Sequence, residues 1–261
     1  MRATAWGKGG TCVTLHKQIF TRSSCYKAGK KMTPRGVMLH STGANNPNLR
    51  RYISPDDGRL GSPSGNHWNR PGLDVCVHAF IGKLADGSVA VYQTLPWSYR
   101  GWHCGGRGNR THIAFEICED GLEDPQYFAA VYRVAVELTT MLCREFDLDP
   151  LADGVVICHA EGYRRGIASN HADVLHWFSR HGKSMDDFRT DVVRELEGGE
   201  VVTQEQFDAM MENWLKRQNE KEPTEPWMIQ GVERAKAAGV TDGSRPMAFC
   251  TRLEAAMMAA K

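Results

Sequence analysis

The sequence predicts an α/β domain followed by a small helical unit. Two observations favour the α/β domain: short apolar runs alternate with helical patterns up to Gly199, and a helix-length apolar face separates the last two runs. A third observation divides the chain. The segment 220–226 is charged and holds two prolines, which is typical of a stiff linker.

Five apolar runs are predicted to be strands. In chain order they are 36–40, 75–81, 88–93, 111–118 and 154–158. The second and third flank Ala85-Asp86-Gly87, and Asp-Gly is the dipeptide of a two-residue hairpin turn. We therefore expect these two strands to form a hairpin.

Two helices are predicted within the domain. The first begins after Asp124, a capping residue, with Pro125 in its first position, and its apolar face runs to Leu142. The second spans 184–196 and ends before Gly198-Gly199, which also marks the expected end of the domain.

A third amphipathic helix is predicted over residues 203–219. Its apolar stripe recurs at helical spacing and consists of Phe207, Met210, Met211, Trp214 and Leu215. Either its own domain covers this stripe or a homo-oligomer forms through residues 203–219, and the sequence leaves both open. We expect three regions: a domain at 1–197, a helix with linker at 198–222, and a helical unit at 223–261.

Composition excludes several classes of protein. Lys and Arg total 32 against 31 for Asp and Glu, so nothing indicates a nucleic-acid partner. No apolar run approaches the roughly 20 residues of a membrane span. Residues 1–8 lack the apolar segment of a secretory signal, so we expect synthesis in the cytoplasm without a signal peptide. The eight cysteines form no Cys-x-x-Cys pair and are expected to be small buried residues of a protein made in a reducing compartment.

Two histidines stand where chemistry is expected. His40 and His159 each end an apolar strand, and a His/Asp cluster follows at 171–176. A third ligand brought beside two strand-end histidines would complete a catalytic zinc site with one open position. Glu116 lies among apolar residues, where a carboxylate is costly unless it is paired or functional. From spacing alone, satisfied core histidines and a carboxylate paired with Arg or Lys remain equally open.

Several motifs in order resemble the type-2 N-acetylmuramoyl-L-alanine amidases, a family that includes peptidoglycan recognition proteins and phage lysozyme-type amidases. The motifs are Val37-Met38-Leu39-His40-Ser41-Thr42, Val77-His78-Ala79-Phe80-Ile81, Trp102-His103-Cys104-Gly105, Ile113-Ala114-Phe115-Glu116 and Cys158-His159. The stretches 39–47 and 166–173 resemble endolysin-like amidases of Gram-positive bacteria and their prophages. The resemblance implies a central mixed β-sheet flanked by helices and zinc-dependent cleavage between N-acetylmuramic acid and L-alanine of peptidoglycan.

The resemblance also implies roles for individual residues. His40 and His159 match the family's zinc-binding histidines, and Asp173 falls at the third ligand. Glu116 falls where some members hold the carboxylate that handles the attacking water. His171 replaces a lysine that stabilises the transition state.

Two departures from the family pattern affect the third ligand. His171 stands in place of lysine, and no proline follows Asp173, so His171 and, more weakly, His176 are alternative ligands. Asn45, Trp102 and His103 are expected to line the substrate groove, although Trp102 is equally compatible with an ordinary core position.

The carboxyl-terminal unit resembles a single S-layer-homology repeat. The resemblance rests on Trp227, on 235–243 and on 251–254, and it implies binding to secondary cell-wall polymers, with a structural cap as the alternative. The missing signal and the two-part layout fit a phage or prophage endolysin, or an autolysin, that reaches the wall after lysis or non-classical export. The alternative functions are a recognition module that binds peptidoglycan without cutting it and a zinc hydrolase of another amide.

Overall fold

The computed structural model describes residues 14–62, 65–198, 204–219, 223–242 and 244. The chain divides into two compact units, Met1–Glu200 and Val201–Lys261. Residues 1–8, Cys12, Cys250 and the motif at 251–254, on which some of the expectations above rest, lie outside the described residues.

The first unit holds the predicted α/β architecture. Its strands are β1 (Leu15–Lys17), β2 (Gly36–Ser41), β3 (Ala79–Lys83), β4 (Val89–Gln93), β5 (His112–Ile117) and β6 (Val156–Cys158). Its helices are α1 (Ser24–Ala28), α2 (Pro125–Phe146), α3 (His159–Arg164), α4 (Leu175–Phe178) and α5 (Met185–Leu196). All five predicted strands and both predicted helices of this domain are present, with ends shifted by a few residues.

The strands form one mixed sheet in the order β1-β4-β3-β5-β2-β6. The predicted hairpin, β3 with β4, is its antiparallel pair, while the other neighbouring strands are parallel. Gly87 has a φ of 86° in the hairpin turn, a left-handed conformation that glycine adopts without strain. The expected central mixed β-sheet flanked by helices is confirmed.

The helices that close the domain form where their capping residues predict. The Asp124 carboxylate accepts hydrogen bonds from the backbone of Gln126 (2.9 Å) and Tyr127 (3.0 Å) at the start of α2. Ser184 and Asp187 form a reciprocal capping box at the start of α5. These two helices pack together on one face of the sheet.

The two faces of the sheet are covered differently. Side chains alternate along a strand, so Val37 and Leu39 of β2 enter the main core with α2, whereas Met38 belongs to a small cluster on the opposite face. The same alternation sends Phe115 of β5 to the α2 face and Ala114 to the other. His40 and Glu116 continue the second series, which places both on the face away from α2.

Two expectations about the region before β3 are wrong. The predicted strand 75–81 begins only at Ala79, because the backbone of Cys76 pairs with Trp102 of a loop instead of with the sheet. Cys76 also forms a disulfide with Cys25, across a Cα–Cα distance of 6.4 Å, so these two cysteines are not the free residues expected. Cys104, Cys118, Cys143 and Cys158 are free and buried, as predicted.

The second unit contains two described helices, α6 (Gln204–Asn219) and α7 (Pro226–Ala237). The first coincides with the predicted amphipathic helix, and Met210, Met211, Trp214 and Leu215 of its stripe are between 37% and 60% exposed. Across the described residues, no helix combines the length and the apolar character that crossing a membrane requires.

Candidate metal centre and active site

Three side chains from distant parts of the sequence meet at one edge of the sheet. His40 lies near the end of β2, and His159 follows β6 as the first residue of α3. Because β2 and β6 are parallel neighbours with Leu39 opposite Cys158, the two histidines leave the sheet side by side. Asp173, in the segment before α4, completes the group.

The three facing atoms form a nearly regular triangle. The Nδ1 atoms of His40 and His159 are 3.0 Å apart, and Asp173 Oδ2 lies 3.1 Å and 3.5 Å from them, respectively. A tetrahedral zinc ion with bonds of about 2.0–2.2 Å separates its ligands by roughly 3.3–3.6 Å. The spacing and the donor types of this triangle therefore fit one zinc ion.

The surroundings favour the metal-binding states of His40 and Asp173. Burial lowers the pKa of His40 in spite of the neighbouring Asp173 carboxylate, so the imidazole is neutral and keeps a lone pair. Burial alone would raise the pKa of Asp173, but its contacts with His159 and His40 outweigh burial and hold this pKa below its usual range. A neutral imidazole and an ionised carboxylate are the forms that coordinate zinc.

Glu116 lies on the same sheet face, on the strand next to His40. Its Cα is the register partner of His40 in the parallel pair β2–β5. Its Oε2 atom is buried and has no hydrogen-bond partner in the described part of the chain. Burial, with added repulsion from Asp173 and Glu119, raises the pKa of Glu116 well above its ordinary value. This carboxyl group can therefore hold a proton.

The alternatives for the third ligand lie elsewhere. His171 is exposed, and its ring centroid is 4.6 Å from that of His159, so it stands beside the triangle and is not one of its corners. The Nε2 atom of His176 pairs with Glu119 Oε1 at 2.9 Å. Of the three candidates, Asp173 is the one whose carboxylate contacts both strand-end histidines.

The residues expected to line the groove have different surroundings. Asn45 is exposed on the loop after β2, where its amide lies against Gly121. Trp102 is half-buried beside the disulfide, in a small cluster with Leu95. His103 Nδ1 lies 2.9 Å from His40 Nε2, a contact that the sequence did not reveal.

A pocket of about 490 Å³ opens beside this group, between α3 and the segment 170–176. Its lining includes His171, Tyr163 and Arg164. The last two were not expected from the sequence, although Ala160, Tyr163 and Arg164 share one face of a helix that starts at His159. Arg164 is exposed and forms no ion pair among the residues that the structure describes.

Comparisons with solved structures find several related folds. The Staphylococcus aureus hydrolase AmiA, solved with its ligand, is 20% identical, with a TM-score of 0.49 over 74% of this chain and 85% of that chain. The PlyG catalytic domain is 20% identical, with a TM-score of 0.47 over 73% and 97%. The XlyA catalytic domain is 22% identical, with a TM-score of 0.45 over 69% and 99%.

Comparisons at the level of sequence give one family match. No curated protein matches the chain. The model of the N-acetylmuramoyl-L-alanine amidase family matches residues 30–175, a range that holds β2 to β6, the triangle and Glu116. Because this match covers more than half of the chain, the protein belongs to the N-acetylmuramoyl-L-alanine amidase family.

Proposed function

We propose that this protein hydrolyses the amide bond between N-acetylmuramic acid and L-alanine of peptidoglycan, using a zinc ion held by His40, His159 and Asp173. The observation that carries the proposal is the triangle of two Nδ1 atoms and one carboxylate oxygen, with edges of 3.0–3.5 Å. Its three protein ligands leave a fourth position free for water or substrate, as in catalytic zinc sites.

Glu116 moves the proton in this proposal. When bound, zinc acidifies a water molecule towards a pKa of about 7 and polarises the scissile carbonyl. The Glu116 carboxylate takes the proton from the attacking water and later gives it to the departing L-alanine nitrogen. Its burial and its unpartnered Oε2 support this role, because nothing else in the described part of the chain competes for that oxygen.

His171 stabilises charge at the rim of the site. It lies next to His159 and is exposed, so its imidazolium form can approach the oxyanion that develops on the carbonyl. Asn45, Trp102 and His103 contribute to substrate binding in the same proposal, Asn45 from the exposed loop after β2.

The pocket beside α3 takes the stem peptide. Around the scissile bond, the substrate is a neutral sugar on one side and a peptide with carboxylates on the other. Arg164 brings an unpaired positive charge to the pocket, which favours the peptide side. Tyr163 is 48% exposed and offers its ring to the peptide backbone or side chains.

We place the protein as a phage or prophage endolysin, or an autolysin, of a Gram-positive host, made in the cytoplasm and acting on the wall after release. Residues 1–197 form the zinc amidase domain, 198–222 an amphipathic helix and linker, and 223–261 a wall-binding or oligomerisation module. Deleting 223–261 is expected to reduce co-sedimentation with purified walls, and unchanged binding would leave that unit a structural cap.

The main experiment combines metal analysis with wall hydrolysis. Wild-type protein is expected to carry about one zinc per chain and to release amino termini from Gram-positive peptidoglycan without new reducing sugars. His159→Ala should lose the metal. A wild-type protein that binds peptidoglycan but releases no amino termini would instead be a recognition module, and one that cleaves only other amides would be a different hydrolase.

A further inference from the structure

Both histidines of the triangle have a second hydrogen-bonding group on their outer side. His40 directs Nδ1 to the centre, and its Nε2 lies 2.9 Å from His103 Nδ1. His159 does the same, and its Nε2 lies 3.2 Å from Ser169 Oγ. The two imidazoles therefore share one arrangement, although their outer partners differ.

A bound metal would require one tautomer of each ring, and the outer partners fit that tautomer. An imidazole that offers the Nδ1 lone pair to a metal carries its proton on Nε2 and needs an acceptor there. His103 Nδ1 is placed to accept this proton from His40, and the Ser169 hydroxyl oxygen is placed to accept it from His159. With other groups at these positions, each ring would be free to turn or to bind its proton on Nδ1.

His103 and Ser169 belong to two loops that are joined by hydrogen bonds. The Asn109 side-chain oxygen accepts hydrogen bonds from the backbone of His103 (2.8 Å) and Cys104 (3.0 Å). The Ser169 backbone N–H in turn donates to the Cys104 carbonyl at 2.7 Å. His103 and Ser169 therefore lie at a fixed separation.

Glycines allow this close approach. A Cβ at Gly106 would lie 2.3 Å from the Ile167 carbonyl oxygen, and a Cβ at Gly101 would lie 2.8 Å from the His103 ring. Both positions exclude any side chain without a shift of the surrounding atoms. The loop before β5 thus packs directly against the segment that precedes Asp173.

We propose that His103 and Ser169 are positioning residues, which fix His40 and His159 with Nδ1 towards the metal and so set the metal affinity of the site. The proposal rests on the proposed zinc function. It assigns His103 a role behind a ligand, in addition to any contact with substrate.

The first test compares two variants of His103. His103→Leu removes the acceptor, whereas His103→Asn keeps an oxygen close to the place of Nδ1. By analogy with other outer-shell partners, we expect His103→Leu to bind zinc about 10–100-fold more weakly and His103→Asn to recover most of that loss. Zinc affinity is measured by competition with a chromophoric chelator, and the absorption spectrum of the cobalt-substituted protein reports the ligand geometry.

The second test applies the same logic to His159. Ser169→Ala removes the hydroxyl and Ser169→Thr retains it. We expect about a tenfold loss of zinc affinity for alanine and near wild-type affinity for threonine. Ser169 is only half-buried, so both variants are expected to fold even if His103→Leu does not. Circular dichroism of the metal-free proteins checks this.

The outcomes separate this proposal from the proposed function. If His103→Leu and Ser169→Ala bind zinc as tightly as wild type with an unchanged cobalt spectrum, the positioning role is wrong while the amidase proposal stands. If His103→Asn is as weak as His103→Leu, packing and not the acceptor matters, which also overturns it. If wild type and variants bind zinc in the expected order of affinity but wild type cleaves no peptidoglycan, only the amidase proposal is refuted. A wild type without zinc affinity would overturn both.

Discussion

The domain contains two kinds of buried histidine, and they differ in what their ring nitrogens contact. His78 donates from Nε2 to the Tyr99 carbonyl (2.8 Å) and accepts from the Ala114 backbone at Nδ1 (3.0 Å). Both ring nitrogens of His112 also have hydrogen-bond partners, the Gly154 carbonyl and the Thr111 hydroxyl. By contrast, the Nδ1 atoms of His40 and His159 face each other and a carboxylate.

Burial alone therefore does not identify a functional histidine. His40, His78, His112 and His159 are each at most 5% exposed. The difference is that three electron-pair donors converge in the second group, an arrangement that a cation stabilises and that protein groups alone satisfy poorly. Substitutions in the two groups should therefore differ in their effect on metal binding.

The largest effect is expected from the triangle. Asp173→Ala should lose bound zinc and lower amidase activity by more than about a thousandfold, since a catalytic metal contributes several kcal/mol. His176→Ala is the matched control, because His176 pairs with Glu119 outside the triangle. Metal content by mass spectrometry should fall in the first variant only, and loss of zinc in His176→Ala would refute the assignment of Asp173.

Glu116 provides the next contrast, since it is a buried carboxyl group without the histidine partner that Glu119 has. Glu116→Gln should lower the rate of wall hydrolysis by about 10²–10⁴-fold, the usual contribution of a general base. Zinc content should stay at the wild-type level. Activity within a few-fold of wild type would remove Glu116 from the mechanism.

Although Glu116→Gln should lower activity, the same substitution should raise the stability of the metal-free protein. The raised pKa of Glu116 means that the folded state binds a proton more tightly than the unfolded state, so metal-free wild type loses stability as pH rises above the ordinary carboxyl range. Glu116→Gln avoids this loss and should be roughly 1–3 kcal/mol more stable at pH 7. Denaturant unfolding at pH 7 and pH 4 checks it, because the difference should shrink at the lower pH.

His78 tests the group of buried histidines whose two ring nitrogens both have hydrogen-bond partners. Burial lowers its pKa to about 4, so the unfolded state takes up a proton first when the pH falls below the ordinary value of 6.5. This residue's contribution to stability is present above pH 6.5 and should decline by roughly 3 kcal/mol between pH 6.5 and 4. A His78→Gln variant should show a correspondingly flatter decline and unchanged zinc content per folded molecule; an equally steep decline would argue against the assigned cause.

Arg164 should give the smallest effect. Arg189 serves as a comparison, because it forms salt bridges with Glu161 and Asp186. Arg164 forms no salt bridge within the described residues. Arg164→Gln should raise KM about tenfold for a muropeptide whose stem peptide carries a free carboxylate, the value of one exposed ionic hydrogen bond. The amidated muropeptide is the control substrate, and an equal change for both would separate Arg164 from carboxylate recognition.

The sequence was most informative where local chemistry decides the structure. Asp124 and Pro125 defined the start of α2, and Asp86-Gly87 defined the hairpin, because each signal acts within one turn of the chain. Contacts between residues far apart in the sequence could not be predicted. The disulfide joins residues 51 apart, and the contact between His103 and His40 spans 63 positions.

The candidate site shows the same division. His40 and His159 were recognisable because they end apolar strands, and the family resemblance added Asp173 and Glu116. The sequence left Asp173, His171 and His176 open as the third ligand, since all three lie within six positions of one another. The path of the chain before α4 brings the Asp173 carboxylate to both strand-end histidines, which is the observation that supports Asp173 in the proposal. The pocket at Arg164 could not be predicted, because it depends on how α3 packs against the segment 170–176.

The separation of His40 from Asp173 by 133 positions has a consequence for the order in which activity appears. During synthesis His40 and Glu116 leave the ribosome well before His159 and Asp173, which follow α2 and β6 in the chain. A chain that ends before Asp173 lacks one corner of the triangle. Under the proposed function, such a chain would therefore be inactive, and hydrolytic competence would be acquired late in synthesis.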